Sequence, residues 1–388
     1  MDVPSYPFSK DFIPNKLVGR EQQFEETMLV LKPVFKGLGR VSFETPFYSG
    51  IKGGGKTAML KLFCIEAESK GGKAYYIKCE NQLSKTLCNF LIKNNVKLHK
   101  DKRYIPDTEF LEFIINDYEK NKWNFILLMF DDADKIKRKK GDLDPFLHSL
   151  YDNLLENTNI RFNFMFASRM DAGAFVKYLE NSYDRLNLRP IVFSRYNANQ
   201  LLNIILDRVK LVLREDQYDL NALKYIASSV ARATGSAEDV IKLTYKAIEI
   251  ADTKLTIEDA EKVVLEMKGL FWKERIIKLH PHAGLILYAM ALSVYDTNPF
   301  SINKEFLEIS QRIIKEKYRR LCEKYGVQAL SDATIKYLMD ELEENGFIER
   351  GLILHKGRMG KDRTIILKEK PQNILNGARN IDWKLFLS

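Results

Sequence analysis

The sequence predicts an α/β domain on a parallel sheet, then a small all-helical domain, then a domain of helices followed by a two-stranded hairpin. In the first half, apolar β-like runs alternate with helical stretches, a pattern typical of a parallel sheet. Helix-start signals follow position 196. Near the end, two β-like runs flank a basic turn that contains glycine.

The elements of the α/β part follow from apolar periodicity. Lys73–Cys79, Asn124–Phe130 and Arg161–Ala167 are β-like, and the second is continuously apolar, as a buried central strand should be. Glu21–Lys36 carries an apolar helical face. Residues 1 to about 15 hold three prolines and are expected to form an extended arm.

A phosphate-binding loop of the form GxxGxGKT is the most specific motif in the chain. Glycines let the backbone turn so that several N–H groups converge on one anion, and the following helix contributes its N-terminus. The lysine supplies charge for the phosphates, and the threonine hydroxyl can hold Mg²⁺. A glycine-rich surface turn is the alternative, which the strand–loop–helix context disfavours. The candidate nucleotide ligands here are Gly50, Gly53, Gly54, Gly55, Lys56, Thr57 and Ala58.

Two carboxylates, Asp131 and Asp132, directly follow the apolar strand that ends at Phe130. In an open α/β sheet the carboxyl ends of the strands border the ligand crevice. We therefore expect Asp131, with Thr57, to hold Mg²⁺ through water, and Asp132 to orient or activate the attacking water. A helix-capping pair is the alternative interpretation.

The all-helical part and the last part are predicted from caps and spacing. Three pairs spaced by three residues mark helix starts: Asn197 with Gln200, Ser236 with Asp239, and Thr256 with Asp259. Asp332–Glu344 is a predicted helix whose buried positions are Ile335, Leu338, Met339 and Leu342. The runs Phe347–Leu354 and Arg363–Leu367 complete the outline of a winged helix.

Composition narrows the class of protein. A chain of 388 residues has room for two or three domains, and its net charge of +9 suits a polyanionic partner if the charge is clustered. The four cysteines form no CxxC pair and are expected to be buried thiols in a reducing, cytoplasmic compartment. No signal peptide and no apolar run long enough to span a bilayer are present, so no membrane partner is expected.

The order of these motifs resembles the AAA+ replication initiators, and most closely the archaeal origin recognition / cell division control family. The resemblance rests on the Asp131-Asp-Ala-Asp134 run, the Ile13–Glu21 opening segment, the Val192–Gln200 segment and the C-terminal wing. It implies an AAA+ nucleotide-binding domain over 1–196, a helical lid over 197–270 and a winged-helix DNA-binding domain over 279–388.

The resemblance also implies roles for particular residues. The opening segment packs on adenine in this family, which assigns Val18, Gly19 and Arg20 to cofactor binding together with Tyr196. Arg185 falls on the family's arginine finger, with Arg189 as its basic competitor. The implied cofactors are ATP or ADP with Mg²⁺.

Three departures from the family surround the expected γ-phosphate. Asp132 replaces a glutamate, and its oxygens retreat by roughly 1.5 Å, because one methylene is missing. Ser168-Arg169 stands where the family has a sensor asparagine, and Glu238 stands where it has a lid arginine, with Lys242 one turn on. These departures favour nucleotide binding with slow hydrolysis.

The expected DNA contacts lie mainly in the winged helix. The start of the predicted recognition helix offers polar side chains, and Gly351–Lys370 holds six Lys/Arg against two acids. The acidic second half of that helix makes strong base reading doubtful. A solvated face is the alternative for each basic stretch, including 311–320 and Lys135–Lys140. The candidate DNA-binding residues are Thr334, Lys336, Tyr337, Lys356, Gly357, Arg358, Lys361, Arg363, Lys97 and Lys100.

The function implied is an ATP-binding, duplex-DNA-binding replication initiator that recognises origins, associates with the nucleoid and helps to load the replicative helicase, with other initiator copies as further partners. One alternative is a nucleotide-bound DNA-binding regulator, or a plasmid or virus initiator, with little or no ATPase activity. The other is a signalling ATPase whose winged helix contacts only protein, which the basic wing disfavours.

Overall fold

The computed structural model describes residues 1–96, 107–136, 143–156, 158–179, 186–297, 308–355 and 361–387. The chain folds as two compact units, Met1–Ala260 and Glu261–Ser388. No helix in these described ranges is long and apolar enough to cross a membrane. The domain boundaries expected at 196, 270 and 279 stay predictions.

The first unit is built on a parallel sheet of five strands in the order β2-β3-β4-β1-β5. Every residue of β3 and β4 is buried, because helices cover both faces of the sheet. The phenylalanines of one face stack on each other, as Phe130 does on Phe166 at 5.4 Å between ring centroids. The strands are β1 (Thr45–Gly50), β2 (Lys73–Lys78), β3 (Ile126–Asp131), β4 (Phe162–Ala167) and β5 (Leu188–Phe193).

Helices connect these strands and then form an all-helical segment. The predicted helix-start pairs are confirmed in the structure: Asn197 and Gln200 form a capping box, and Ser236 accepts a hydrogen bond from the Asp239 backbone N–H. The helices are α1 (Glu21–Phe35), α2 (Lys56–Ser69), α3 (Leu83–Lys93), α4 (Asp107–Asn121), α5 (Leu143–Glu156), α6 (Ala172–Tyr178), α7 (Ala198–Val209), α8 (Leu220–Ala233), α9 (Ala237–Ile250) and α10 (Ile257–Ile276).

The proline-rich start of the chain is not extended throughout, which corrects the expectation of an arm. Tyr6–Phe8 forms a 3-10 turn in which Pro7 and Phe8 are buried. Phe8 packs on the Tyr245 ring at 5.2 Å, and the Arg208 guanidinium lies 4.7 Å from the Phe12 ring centroid. The apolar side chains of this segment therefore tie it to helices α7 and α9.

The second unit has the element order of a winged helix. A short strand that the sequence did not predict, β6, pairs with β8 and completes an antiparallel sheet in the order β6-β8-β7. The elements after α10 are α11 (Pro281–Thr297), β6 (Glu308–Ser310), α12 (Gln311–Tyr325), α13 (Asp332–Glu344), β7 (Ile348–His355), β8 (Lys361–Leu367), α14 (Pro371–Ala378) and α15 (Trp383–Leu387).

Candidate functional site

The phosphate loop lies at the carboxyl end of β1 and leads directly into α2. Gly50, Gly53 and Gly55 have φ values of 137°, 74° and 101°, a region that favours glycine. A Cβ on Gly50 would lie 2.2 Å from the Phe193 carbonyl oxygen, so the close approach of β5 also requires glycine there. The first turn of α2, which contains Thr57, is thereby held at the loop as an anion-binding N-terminus.

Lys56 is folded over the loop that precedes it. Its Nζ donates to the carbonyl oxygens of Gly50 at 2.6 Å and Ile51 at 2.8 Å. Burial lowers the pKa of Lys56, although the nearby Asp131 and Asp132 raise it. The ammonium is therefore fixed at the loop and faces the carboxylates at the end of β3.

Asp131 is buried at the end of β3, beside the first turn of α2. The Thr57 Oγ1 donates to its Oδ1 at 3.1 Å and its Oδ2 at 3.0 Å. A carboxylate and a hydroxyl at this separation are oxygen donors of the kind that Mg²⁺ uses beside a phosphate. The residues present therefore fit the magnesium site expected from Thr57 and Asp131.

Two further side chains on β2 reach Asp131, and the sequence analysis missed both. The Lys78 Nζ lies 2.6 Å from Asp131 Oδ2 and 2.8 Å from Asp132 Oδ2. The Tyr76 hydroxyl donates to the same Asp131 Oδ2 at 2.5 Å. The carboxylates raise the pKa of Lys78 even though burial alone would lower it. The register that pairs Lys78 with Asp131 across the sheet brings these groups together.

Asp132 adopts a left-handed backbone, with φ 55°, directly after the strand. Its Oδ2 lies 2.6 Å from Lys135 Nζ as well as near Lys78. Burial would raise the pKa of Asp132, but hydrogen bonds from Lys135 and Lys78 outweigh it and lower the pKa to about 2. The predicted water-orienting carboxylate is thus ionised and held by two lysines.

Ser168 and Arg169 stand where the resemblance places a sensor asparagine; Ser168 is buried, whereas Arg169 is exposed. The Ser168 N–H donates to the Tyr48 carbonyl at 2.9 Å, and its Oγ accepts from the Met170 N–H at 2.9 Å. Arg169 is exposed, and its backbone N–H donates to Asp134 Oδ1 at 3.0 Å. Burial lowers the pKa of Lys56, and the positive charge of Arg169 lowers it further.

The residues assigned to adenine meet around Arg20. Its buried guanidinium lies 3.8 Å from the centroid of the Tyr196 ring, and its Nε donates to the Gly54 carbonyl at 2.9 Å. Gly19 has φ 69°, and a Cβ there would lie 2.6 Å from the Gln200 amide nitrogen. The structure thus joins the opening segment, the phosphate loop and the start of α7, with partly buried Val18 beside them.

The helical segment closes on the phosphate loop through the N-terminus of α9. The Ala237 N–H donates to the Gly53 carbonyl at 3.0 Å. Glu238, at the expected lid-arginine position, lies 2.7 Å from Lys242 and 3.1 Å from Lys10, and its other oxygen lies 3.9 Å from Lys52 of the loop.

We call Glu238 with these three lysines the Glu238 cluster. Burial would raise the pKa of Glu238, but hydrogen bonds from Lys242 and Lys10 lower it to about 2.

Arg185, the predicted arginine finger, lies outside the described residues and stays a prediction. Its competitor Arg189 pairs in register with Pro46 near the start of β1, at the opposite end of the strand from the loop. The Arg189 guanidinium lies 3.5 Å from Glu44. Arg189 is therefore engaged away from the phosphate site of its own chain, and the choice of Arg185 as arginine finger stays a prediction.

The predicted recognition helix α13 buries Ile335, Leu338, Met339 and Leu342, as its periodicity predicts. Thr334, Lys336 and Tyr337 are all exposed on its first two turns, and Tyr337 is 70% exposed. Ser331 caps the helix by accepting a hydrogen bond from the Thr334 N–H at 3.3 Å. The first turns of this helix are therefore exposed to solvent, as contact with a groove of DNA would require.

The acidic second half of α13 is largely paired within its own unit. Asp340 forms an ion pair with Arg350 of β7, and Glu343 lies 3.4 Å from the same guanidinium. Glu341 accepts from the His280 N–H at 3.2 Å. Three of the four acids in this half, Asp340, Glu341 and Glu343, therefore have partners within their own unit.

Four basic side chains of α12 are also engaged with acids, including Lys317, which forms an ion pair with Asp296. Lys315 and Arg319 lie 3.1 and 3.0 Å from Asp332, at the start of α13. Their hydrogen bonds and charges lower the pKa of Asp332. Arg320 lies 2.6 Å from Glu316 on its own helix. This pairing favours a structural role for the 311–320 stretch.

The wing is formed by β7 and β8, which pair up to His355 opposite Lys361. Arg363 is partly exposed and faces Ile353 across the hairpin. Lys356, Gly357 and Arg358 lie outside the described residues, as do Lys97 and Lys100, and for Lys361 only the backbone is described. These DNA contacts stay predictions.

The comparisons with known proteins agree with this architecture. Residues 274–377 match the family model described as CDC6, C terminal winged helix domain. An ORC1-type DNA replication protein from Archaeoglobus fulgidus is 26% identical over 396 residues, which cover 96% of this chain and 89% of that protein. One from Pyrococcus horikoshii is 27% identical over 389 residues, with 95% and 87% covered.

Solved structures share the fold over nearly the whole chain. Cdc6p from Pyrobaculum aerophilum matches with a TM-score of 0.57 at 20% identity, covering 97% of each chain. The ORC1 protein of Aeropyrum pernix, solved in complex with DNA, matches with 0.56 at 20% identity, covering 99% of this chain and 98% of that one. The chain is therefore similar over nearly its whole length to archaeal ORC1-type DNA replication proteins, and its C-terminal part matches the winged-helix domain of the CDC6 family.

Proposed function

We propose that this protein binds ATP and duplex DNA, recognises replication origins and helps to load the replicative helicase, with slow hydrolysis. The observation that carries the proposal is the convergence, within one unit, of the phosphate loop, the Thr57–Asp131 pair and the N-terminus of α9. The family resemblance supplies the biological setting, and the basic wing supplies the surface for DNA.

Nucleotide binding follows from the groups around the loop. Backbone N–H groups of residues 53–57 and the Lys56 ammonium bind the phosphates, while the stacked pair of Arg20 and Tyr196 lies beside the base. Thr57 and Asp131 hold Mg²⁺, which when bound neutralises charge on the phosphates. ADPNP–ADP complexes are known for the ORC2 protein of Aeropyrum pernix, a neighbour with a TM-score of 0.57 at 16% identity.

Slow hydrolysis follows from the same geometry. Asp132 is shorter than the usual glutamate, and Lys78 and Lys135 hold its carboxylate, so it is poorly placed to orient water. Glu238 brings negative charge to the lid position where the family has a cation to stabilise the transferring phosphate. Arg185 would complete the transition state from a neighbouring copy or from the same chain.

DNA binding is assigned to the winged helix. The first turns of α13, with Thr334, Lys336 and Tyr337, enter the major groove, and the basic hairpin lies along the minor groove. Lys97 and Lys100 add a contact from the nucleotide-binding domain. The nucleotide sets the position of the lid and thereby the grip on DNA.

The second candidate is a nucleotide-bound DNA-binding regulator with little or no ATPase activity, for the chromosome, a plasmid or a virus. Two observations favour it: the ion pairs of Asp132 with Lys78 and Lys135, and the acidic residue at position 238. Recruitment of the replicative helicase to origin duplex distinguishes the two, because only the initiator requires it.

Duplex binding measured against salt, with and without ATP, tests the proposal. We expect log Kd to rise steeply with log salt, and the slope for Arg358→Ala to flatten by about one unit. Lys384→Ala, on the last helix, is the matched control and should keep the wild-type slope. If Arg358→Ala also keeps that slope, the wing does not contact DNA.

A further inference from the structure

Asp131, the carboxylate proposed to hold the metal, already forms an ion pair with Lys78 of the same chain. Asp131 Oδ2 receives three donors: the Thr57 hydroxyl, the Tyr76 hydroxyl and the Lys78 ammonium. Asp131 is 1% exposed, whereas the Lys78 side chain is 46% exposed. The carboxylate is fixed, and the lysine reaches it from the solvent side.

Lys78 bridges both carboxylates at the end of β3. Its Nζ lies within 2.8 Å of one oxygen of Asp131 and one of Asp132. An ammonium in this position offsets one of the two negative charges that would otherwise face the phosphates. Mg²⁺ has a similar effect, because it reduces the net negative charge around a nucleotide that is bound at a phosphate loop.

The other charges that face this point strengthen the effect. Lys56 and Lys135 add positive charge beside the two carboxylates, and Asp134 accepts a hydrogen bond from the backbone N–H of Arg169. The described side chains around the phosphate position therefore include at least as many cations as carboxylates. The negative charge of the carboxylates at this site is therefore balanced by lysines before any metal binds.

We propose that Lys78 acts as an internal counter-ion, so that the protein binds ATP and ADP nearly independently of Mg²⁺ and takes up the metal only when Lys78 leaves Asp131. This inference rests on the proposed nucleotide binding at the loop. Lys78 is a positioning residue, since it acts through the carboxylates. It sets the metal requirement of the site.

The test measures the affinity of ATP and ADP for the full chain in EDTA and in excess Mg²⁺. For the wild type we expect the two affinities to agree within about threefold, because Lys78 together with Lys56 and Lys135 supplies positive charge at the site without the metal. Lys78→Met removes the ammonium and keeps an unbranched side chain. Its affinity in EDTA should fall by about tenfold or more, and Mg²⁺ should restore it.

Two variants serve as controls. Lys78→Arg keeps the charge and should keep the metal-independent binding. Lys85→Met makes the same change at an exposed lysine of α3 that pairs with Glu80, outside the site, and should behave as the wild type. Mn²⁺ added to the ATP complex and followed by its free-ion paramagnetic resonance signal should bind Lys78→Met about tenfold more tightly than the wild type.

The outcomes separate the inference from the function it rests on. If the wild type binds ATP only with Mg²⁺, or if Lys78→Met retains metal-independent binding, the inference is wrong while nucleotide binding stands. If neither nucleotide binds under any condition, the proposed function itself fails. The wild-type measurement decides the matter even if Lys78→Met does not fold.

Discussion

Neutralising Glu238 should shift the nucleotide preference of the protein toward ATP. The Glu238 cluster carries a charge of +2, from Lys10, Lys52 and Lys242 against one carboxylate, and Glu238→Gln raises it to +3. The Glu238 Cβ lies 3.4 Å from the position of a Cβ built on Gly53, so this charge stands at the phosphate loop. ATP carries one more negative charge than ADP at this point, so the change favours ATP.

The magnitude follows from Coulomb's law. A unit charge about 8 Å from the terminal phosphate, at an effective dielectric constant of about 40 for a half-exposed site, contributes about 1 kcal/mol. That energy corresponds to about a fivefold gain in the affinity of ATP relative to ADP. Salt should reduce the gain, because the three lysines are largely exposed.

Calorimetric titration of ATP and of ADP into the wild type and the variant measures this ratio. Glu249→Gln is the matched control, because Glu249 lies eleven residues further along α9, about 16 Å away along the helix, on its exposed C-terminal turn. The control should keep the wild-type ratio. An ATP/ADP ratio for Glu238→Gln that stays the same or falls would refute the electrostatic reasoning.

Three further predictions concern the loop, the winged helix and pH. Lys56→Ala should weaken ATP binding at least about tenfold in titration calorimetry, because a charge-assisted contact to the phosphates is lost; unchanged affinity would contradict the role of the loop. Leu338→Ala should cost about 3 kcal/mol in urea unfolding through a core cavity, whereas Lys336→Ala should leave stability within about 0.5 kcal/mol and lower only DNA affinity; equal stability losses would place Lys336 in the core. The pKa of Glu238 is lowered to about 2 in the fold, so its pairing stabilises the protein above the unfolded value of 4.5 and is lost as the pH falls through about 2. Glu238→Gln should therefore be less stable than the wild type by at most about 1 kcal/mol at pH 7, with the difference vanishing near pH 2; a difference that grows in acid would contradict the sign.

Features that depend on neighbours in the sequence were predictable. The loop glycines, the Asn197 capping box and the buried face of α13 are each specified within one or two turns of chain. A three-residue period or a glycine at a left-handed position is visible without knowledge of the tertiary fold. Strands β2, β3 and β4 were predicted from their apolar runs, of which β3 is continuously apolar, whereas β5, with Arg189 and Pro190 in its run, was not predicted.

Features that depend on pairing across the fold were missed. Lys78 meets Asp131 only because β2 lies beside β3 in a register that no local pattern specifies. Lys10 reaches Glu238 from the first residues of the chain, and Arg350 of β7 reaches back to Asp340 of α13. The three-residue strand β6 carries too few residues to show an alternating pattern.

The most direct test of the central claim is titration calorimetry of ATP into the full chain in the presence of Mg²⁺. Since a single phosphate loop with its helix N-terminus forms the site, the account predicts saturable binding of one nucleotide per chain. An absence of saturable binding by both ATP and ADP would contradict it, because the groups around residues 50–57 would then serve the fold alone.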